Sequence, residues 1–268
     1  MDSACVEPAT GRTVAPAMAV VLEIVERVGP AVLTFALGRA TPRIVAEVKG
    51  HHARRFWAPV AKTDTDIVLG RHVHPEWEPS GLLGLGDARA LAELRRHLRR
   101  LYIAEPEVVY DDQLAGRDLA HSSLIMLGGP FSNALIRDLW ETLELSWRFE
   151  YASPDEFAIL DERTGEQHRP QRDGDGNVTR DFGLLVKTRN PAGSDQRFTL
   201  FAFCGCFGYG THAALRYATY DRFLKDPLVA GGGDIEALIS TTVSSGAPQR
   251  VNAVDLRPIP VASEVVRR

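Results

Sequence analysis

Cysteine is scarce in this chain: Cys5, Cys204 and Cys206 are all it has. Three thiols build no disulfide framework, and no CxxC pair is present to hold a structural zinc. Cys204 and Cys206 stand two apart on an expected strand and share a face, which suits small buried hydrophobes better than a strain-free bridge. Such thiols point to a reducing, cytoplasmic setting. An excess of one charge is lacking too. With 31 basic and 35 acidic residues the net charge is −4, so nothing at whole-chain level favours nucleic acid. The basic run Arg95–Arg100 reads as a solvated helix face or a local contact surface. Long uncharged runs are also missing. The apolar stretch 15–38 is broken by Glu23, Glu26, Arg27 and Pro30, well short of the ~20 apolar residues a spanning helix requires. It is expected to be amphipathic helix in two pieces, with no membrane span. Either it packs on the core, or it sits on a protein partner, a second copy or a membrane surface. Met1–Thr10 carries Asp2 and Glu7 and no basic segment, so no secretory signal is expected.

Several catalytic signatures are absent as well. No HExxH or GxSxG occurs, and no cysteine is paired by spacing with a histidine. His72-Val73-His74 is too little for a metal site, and none is expected. Asp173, Asp175 and Asn177 have the opening spacing of a calcium loop. Val178 replaces its glycine, however, and Leu184 its closing glutamate, so the segment reads as a hairpin turn.

What the chain does have is a repeated unit: apolar strand, glycine-rich elbow, helix. Ser123–Leu127 runs into Gly128-Gly129-Pro130-Phe131-Ser132-Asn133 and then a helix expected over Ala134–Leu145. Phe198–Phe203 runs into the GxxGxGT segment Gly205–Thr211 and a helix from His212. A weaker copy, Leu82-Leu83 with Gly84-Leu85-Gly86-Asp87, leads a helix to Leu101 striped by Leu91, Leu94 and Leu98, with Asp87 as the expected N-cap. Uninterrupted apolar strands suit a sheet covered on both faces.

The fold class predicted is therefore α/β: a Rossmann-like mixed, mostly parallel sheet with helices on both faces and a helical N-terminal appendage. The division expected is 1–80 for the N-terminal helical and irregular region, and 81–268 for the α/β domain. Further strands are expected near 66–70, 107–110, 148–151, 157–160 and 181–187. Val73–Ser80, with two prolines, is expected as a loop, and segments 235–242 and 250–256 as an antiparallel pair closing one edge.

A strand feeding a helix through glycines brings unpaired amides and the helix dipole to one place, which suits anionic or sugar-bearing ligands. Gly128 and Gly129 would let the backbone approach a ligand, with Ser132 and Asn133 near the helix start. Gly208, Gly210, Thr211 and His212 would face the same crevice if the two elbows adjoin. These eight residues are the candidate ligand-binding set, and no catalytic residue is assigned. The same residue types also serve any strand–helix turn, so a purely architectural role stays open. The GxxGxG spacing is not the GxGxxG of a dinucleotide fingerprint, and no cofactor is expected. Glu141, Glu144, Asp111, Asp112 and Asp118 lie near the first elbow in sequence, and none is singled out.

The strand-GGPxSN-helix segment, Asp181-Phe182-Gly183-Leu184 through Asn190-Pro191, and the GxxGxGT-x-AA segment together resemble a Rossmann-like ligand-binding domain. Similar architecture occurs in prokaryotic nucleotide-sensing domains and nucleoside deoxyribosyltransferase-like proteins, over about residues 81–256. That resemblance implies a cytosolic bacterial module binding a nucleotide-like small molecule or related anion. It also leaves room for an enzyme acting at a nucleotide N-glycosidic bond. A scaffold with purely structural elbows is the third possibility.

Overall fold

The apolar run Ser123–Leu127 forms strand β5, buried at every position, within an eight-stranded sheet. The structure is a computed structural model and describes residues 50–74, 78–114, 117–153 and 156–260. Cys5 and the amphipathic stretch 15–38 lie outside the described residues. Strands β1 (Thr65–Leu69) and β11 (Thr199–Gly205) flank β5, both parallel to it, and β4 (Glu107–Tyr110) pairs parallel with β1. Beyond β11 the pairing turns antiparallel through β10 (Val178–Arg189), β12 (Ile235–Ser244) and β13 (Ala247–Pro258), with short β9 (Gln171–Arg172) beside β10. The order across the sheet is β13-β12-β10-β11-β5-β1-β4. Because β12 reverses β10, it points the same way as β11, and five of these seven strands share one direction. The sheet is mixed and mostly parallel, as expected. The β12–β13 ladder shifts register twice, between Leu238 and Ile239 and between Thr241 and Val243.

The sheet reaches back before residue 81, since β1 lies between β4 and β5. Thr65–Leu69, in the segment that the sequence reading places before the α/β domain, thus supplies an inner strand of the sheet. Val73–Ser80 also departs from expectation. It contributes a small hairpin of β2 (His72–His74) and β3 (Glu78–Leu82). Pro79 is tolerated there because a two-stranded ladder leaves each strand one unpaired edge, where a missing N–H costs little.

Alternation along β5 serves two cores. Ile125 and Leu127 face one cluster, Leu124 and Met126 the other, which is the period of two that a strand imposes. The first face is covered by α1 (His51–Phe56), α2 (Ala58–Lys62), α3 (Leu85–Arg100) and α5 (Gly208–Tyr217). Trp57 stacks on Phe201 at 5.1 Å between ring centroids, and Leu94 and Leu98 of α3 are fully buried. Short helices α6 (Asp221–Leu224) and α7 (Pro227–Gly231) complete that side. The second face carries α4 (Ala134–Trp140) and a three-stranded sheet of β6 (Trp147–Ser153), β7 (Glu156–Asp161) and β8 (Gln167–His168). Cys204 and Cys206 are free, buried, and on this same second face. Burial pushes both thiols well above their ordinary range, as befits inert packing groups. The Arg257 guanidinium sits 4.0 Å over the Trp147 ring and joins β13 to β7 through a buried ion pair with Asp161.

Three helices differ from expectation, α5 among them: it begins at Gly208, inside the glycine segment, and not at His212. α4 stops at Trp140 rather than Leu145, and the chain leaves through turns in which Thr142 donates to Leu139 O from its backbone N–H at 2.9 Å and its hydroxyl at 2.6 Å. α3 begins at Leu85 with Gly84 as its N-cap, so Asp87 is its third residue and not its cap. No helix among the described residues is long and apolar enough to cross a membrane.

Candidate functional site

The three elbows meet at one end of the sheet. β1 is followed in the chain by β4 on one side and then by β5 on the other, a reversal of the kind beside which α/β sheets open a crevice. Contact there is backbone to backbone. A Cβ on Gly86 of α3 would collide with the main chain of Gly208 at the start of α5. One on Gly129 would stand 2.7 Å from the Gly205 carbonyl oxygen. Gly128 holds φ at +109°, a conformation that L side chains avoid. Around these glycines lies a cleft of ≈ 390 Å³. Gly86, Asp87, Gly129, Ser132, Gly208 and Thr211 form its polar side, while Phe131, Phe157 and Phe207 form an aromatic wall.

Asp87 is the chemically distinctive group. It lies in the first turn of α3, is almost fully buried, and its Oδ1 has no hydrogen-bond partner. Oδ2 lies beneath Gly84 and Gly128, 3.1 and 3.5 Å from where their β-carbons would stand. Side chains at those glycines would press on the carboxylate. Burial pushes the Asp87 carboxyl up to about 6, against a hydrogen bond from Thr211 that favours its charged form. Near neutral pH this group can both accept and surrender a proton.

The helix starts at the cleft are not equally open. α4 is sealed by the protein's own side chains: Asn133 Oδ1 accepts from Ile136 N at 3.1 Å and Asp111 Oδ2 accepts from Ala134 N at 2.7 Å. The α3 and α5 N-caps, Gly84 and Phe207, make no side-chain cap. α5 is instead supported from below by fully buried Asp181. Its Oδ2 accepts from Gly210 N at 2.6 Å and Phe207 N at 3.3 Å, and its Oδ1 from Phe182 N at 2.8 Å. Burial pushes the Asp181 carboxyl up to about 7 despite these three donors. Carboxyl groups thus already attend the first turns of both α3 and α5. A multiply charged anion would meet them there, whereas a hydroxylated ligand could use amides and carboxylate together.

Of the eight residues expected at the site, Gly129, Ser132, Gly208 and Thr211 line the cleft, and Gly128 stands directly behind Ser132 and Asp87. Three do other work. Asn133 is fully buried; besides capping α4 it donates to Val68 O at 3.4 Å and Leu127 O at 3.3 Å. Gly210 packs its α-carbon against Phe182 O and Gly205. His212 Nε2 bonds Glu93 Oε2 at 2.7 Å, linking α5 to α3. Burial alone would raise the Glu93 carboxyl, but the His212 hydrogen bond and nearby charges hold it below its ordinary range. Sequence reasoning misses Asp87, His72 and the aromatic wall. The one available signal for Asp87 is its place directly after the third, weakest elbow.

The position of Asn133 yields a stability expectation. Asn133→Ala removes a cap worth about 0.5–2 kcal/mol and two further bonds worth about 0.5–1.5 kcal/mol each. Urea denaturation should show a loss of about 2 kcal/mol or more, and an unchanged midpoint would refute the bracketing role.

Comparison with protein-family models and with curated proteins gave no match to this chain.

Proposed function

We propose that this domain is a binding module for a small nucleotide-like molecule, held at the cleft by its sugar. The observation that carries this reading is the meeting of two helix N-termini whose own N-cap residues make no side-chain bond, α3 and α5, beside the buried Asp87 carboxyl, whose Oδ1 has no hydrogen-bond partner. Ribose hydroxyls donate and accept at once, and this edge of the cleft offers both partners: backbone amides as donors and Asp87 as acceptor. The reading is a sensor or binding function in preference to turnover, since Cys206 is a buried thiol with its proton held on and His212 is engaged by Glu93.

The test is a titration of nucleosides, nucleoside monophosphates and ribose 5-phosphate against the protein at about pH 5 and pH 7.5. A hydroxyl donating to Asp87 prefers the ionised acceptor, so affinity for neutral nucleosides is expected to rise as pH passes about 6. Asp87→Asn should weaken every sugar-bearing ligand about 10- to 100-fold, the range of a hydrogen bond to a charged group, and flatten the pH dependence. Binding that instead strengthens towards pH 5 would mean an anion sits against Asp87. No binding by any of these compounds would leave the elbows as architecture.

One observation supports a second reading, cleavage or transfer at the N-glycosidic bond. An aspartic acid whose carboxyl is pushed up to about 6 is suited to general acid–base work. Chromatography of the same mixtures separates the two, because a binding module releases no free base.

A further inference from the structure

Beside the cleft lies a second compartment of ≈ 330 Å³ that shares Gly129, Phe131, Phe157 and Gly205 with it. Its walls are aromatic. Phe131, Tyr151 and Phe157 form a triangle with ring centroids 4.8, 5.6 and 5.0 Å apart, and Trp140 and Phe149 meet edge to face at 5.5 Å. Phe131 is 54 % exposed and Tyr151 47 % exposed. Large apolar side chains left in water at adjoining places mark surfaces meant to be covered. Here the two rings lie at the mouth of a pocket and not on an open face, so the cover they fit is a small molecule.

Polar groups at the margin narrow the class. Arg137, Glu141 and Glu150 stand at the same compartment, and the Glu150 carboxylate also accepts from Gln167 Nε2 at 2.7 Å. An organic cation would suit the rings and the glutamates but not Arg137. A plain hydrocarbon would leave all three polar groups without use. A planar heterocycle carrying both donors and acceptors on its edge uses the aromatic faces and both signs of charge.

We infer that the aromatic compartment is a nucleobase subsite, in which a heterocyclic base packs on Phe131 and Tyr151 while the sugar attached to it reaches Asp87 in the adjoining cleft. Phe131 and Phe157, common to both compartments, then stand where ring and sugar join. The inference rests on the nucleotide-like reading above and gives it a direction across the site.

Two variants separate it from that reading. Stacking on an aromatic side chain is worth roughly five- to a hundredfold in affinity per base. Phe131→Ala and Tyr151→Ala, titrated by calorimetry with the four ribonucleoside monophosphates, should each weaken the tightest by about tenfold. Ribose 5-phosphate, which has no base, should bind wild type and both variants alike and more weakly than that nucleotide. Both side chains are half exposed, so circular dichroism and thermal midpoint should stay close to wild type. If ribose 5-phosphate binds as tightly as every nucleotide, or if neither substitution changes nucleotide affinity, the base subsite is wrong while sugar binding at Asp87 stands. If nucleosides, nucleotides and ribose 5-phosphate all fail to bind, both fall. If Asp87→Asn weakens all the probes and Phe131→Ala only those with a base, both stand.

Discussion

Replacing Arg257 by alanine is expected to cost the folded state about 3–5 kcal/mol, the range for removing one partner of a buried ion pair. The guanidinium donates to Asp161 through Nη1 at 3.1 Å and Nη2 at 2.5 Å, and through Nε to Asp255 at 2.7 Å. Its plane also covers the Trp147 ring. The alanine variant would lose a bidentate bond, a ring contact and the countercharge of a carboxylate with almost no access to water. Asp161 additionally accepts from Arg163 N at 3.0 Å and Thr164 N at 3.3 Å in the turn after β7. Asp161→Asn should therefore be milder than Asp161→Ala. Urea denaturation of the two single alanine variants and the double variant gives the coupling directly. Additive losses would mean the pair contributes nothing as a pair. The expected result is strong coupling, with the double variant little worse than either single one.

A second large effect concerns pH. The carboxyls of Asp87 and Asp181 are pushed up by burial to about 6 and about 7. The unfolded chain releases both protons near the ordinary carboxyl value, so above about pH 4 the folded state holds protons that the unfolded state has lost. Stability contributed by these groups is complete below that value and lost as pH rises through about 6 and then about 7. A tenfold difference in proton affinity corresponds to about 1.4 kcal/mol, which makes the combined fall several kcal/mol between about pH 4 and pH 8. Asp161 works in the opposite sense. Arg257 holds its carboxyl far below the ordinary range, so its contribution is present above about pH 4 and lost in more acid solution. The protein should be most stable near about pH 4, with separate arms on either side. Thermal melts across this range check the shape, and Asp87→Asn should remove the part of the alkaline arm that ends near about 6. An alkaline arm identical in wild type and Asp87→Asn would show that Asp87 ionises freely in the folded protein.

Elements whose cause is local were readable from the chain. The run Ser123–Leu127 declares itself by apolarity alone, and Glu107–Tyr110 and the antiparallel pair β12–β13 follow their sequence patterns. β1 reads as a short isolated strand because nothing nearby in sequence marks the two neighbours that bury it, which arrive from residues 107–110 and 123–127. The site was partly readable for the same reason. Glycines reveal where backbones can touch, and the elbows do meet. Which amides remain open is set by side chains distant in sequence: Asp111 reaches α4 from 23 residues away and Asp181 reaches Gly210 from 29 residues away. Residue preferences at a helix start carry no trace of such tertiary donors and acceptors. Asn133 accordingly reads as a ligand contact, although the fold engages both its amide nitrogen and its amide oxygen internally.

The two register shifts in the β12–β13 ladder bear on how the protein avoids its own copies. Among the described residues, β13 is one of the two outer strands of the large sheet, and at twelve residues it is long for such a position. A long, flat outer strand is a template for another chain's backbone, and sheet proteins commonly deter this by kinking the strand, charging it or ending it with proline. β13 does all three. Its ladder breaks step twice, the charged Arg250 stands exposed along it, and Pro248 and Pro258 lie at or next to its two ends. The irregular pairing with β12 thus works as a safeguard against uncontrolled sheet extension, built into the part of the domain farthest along the sheet from β4.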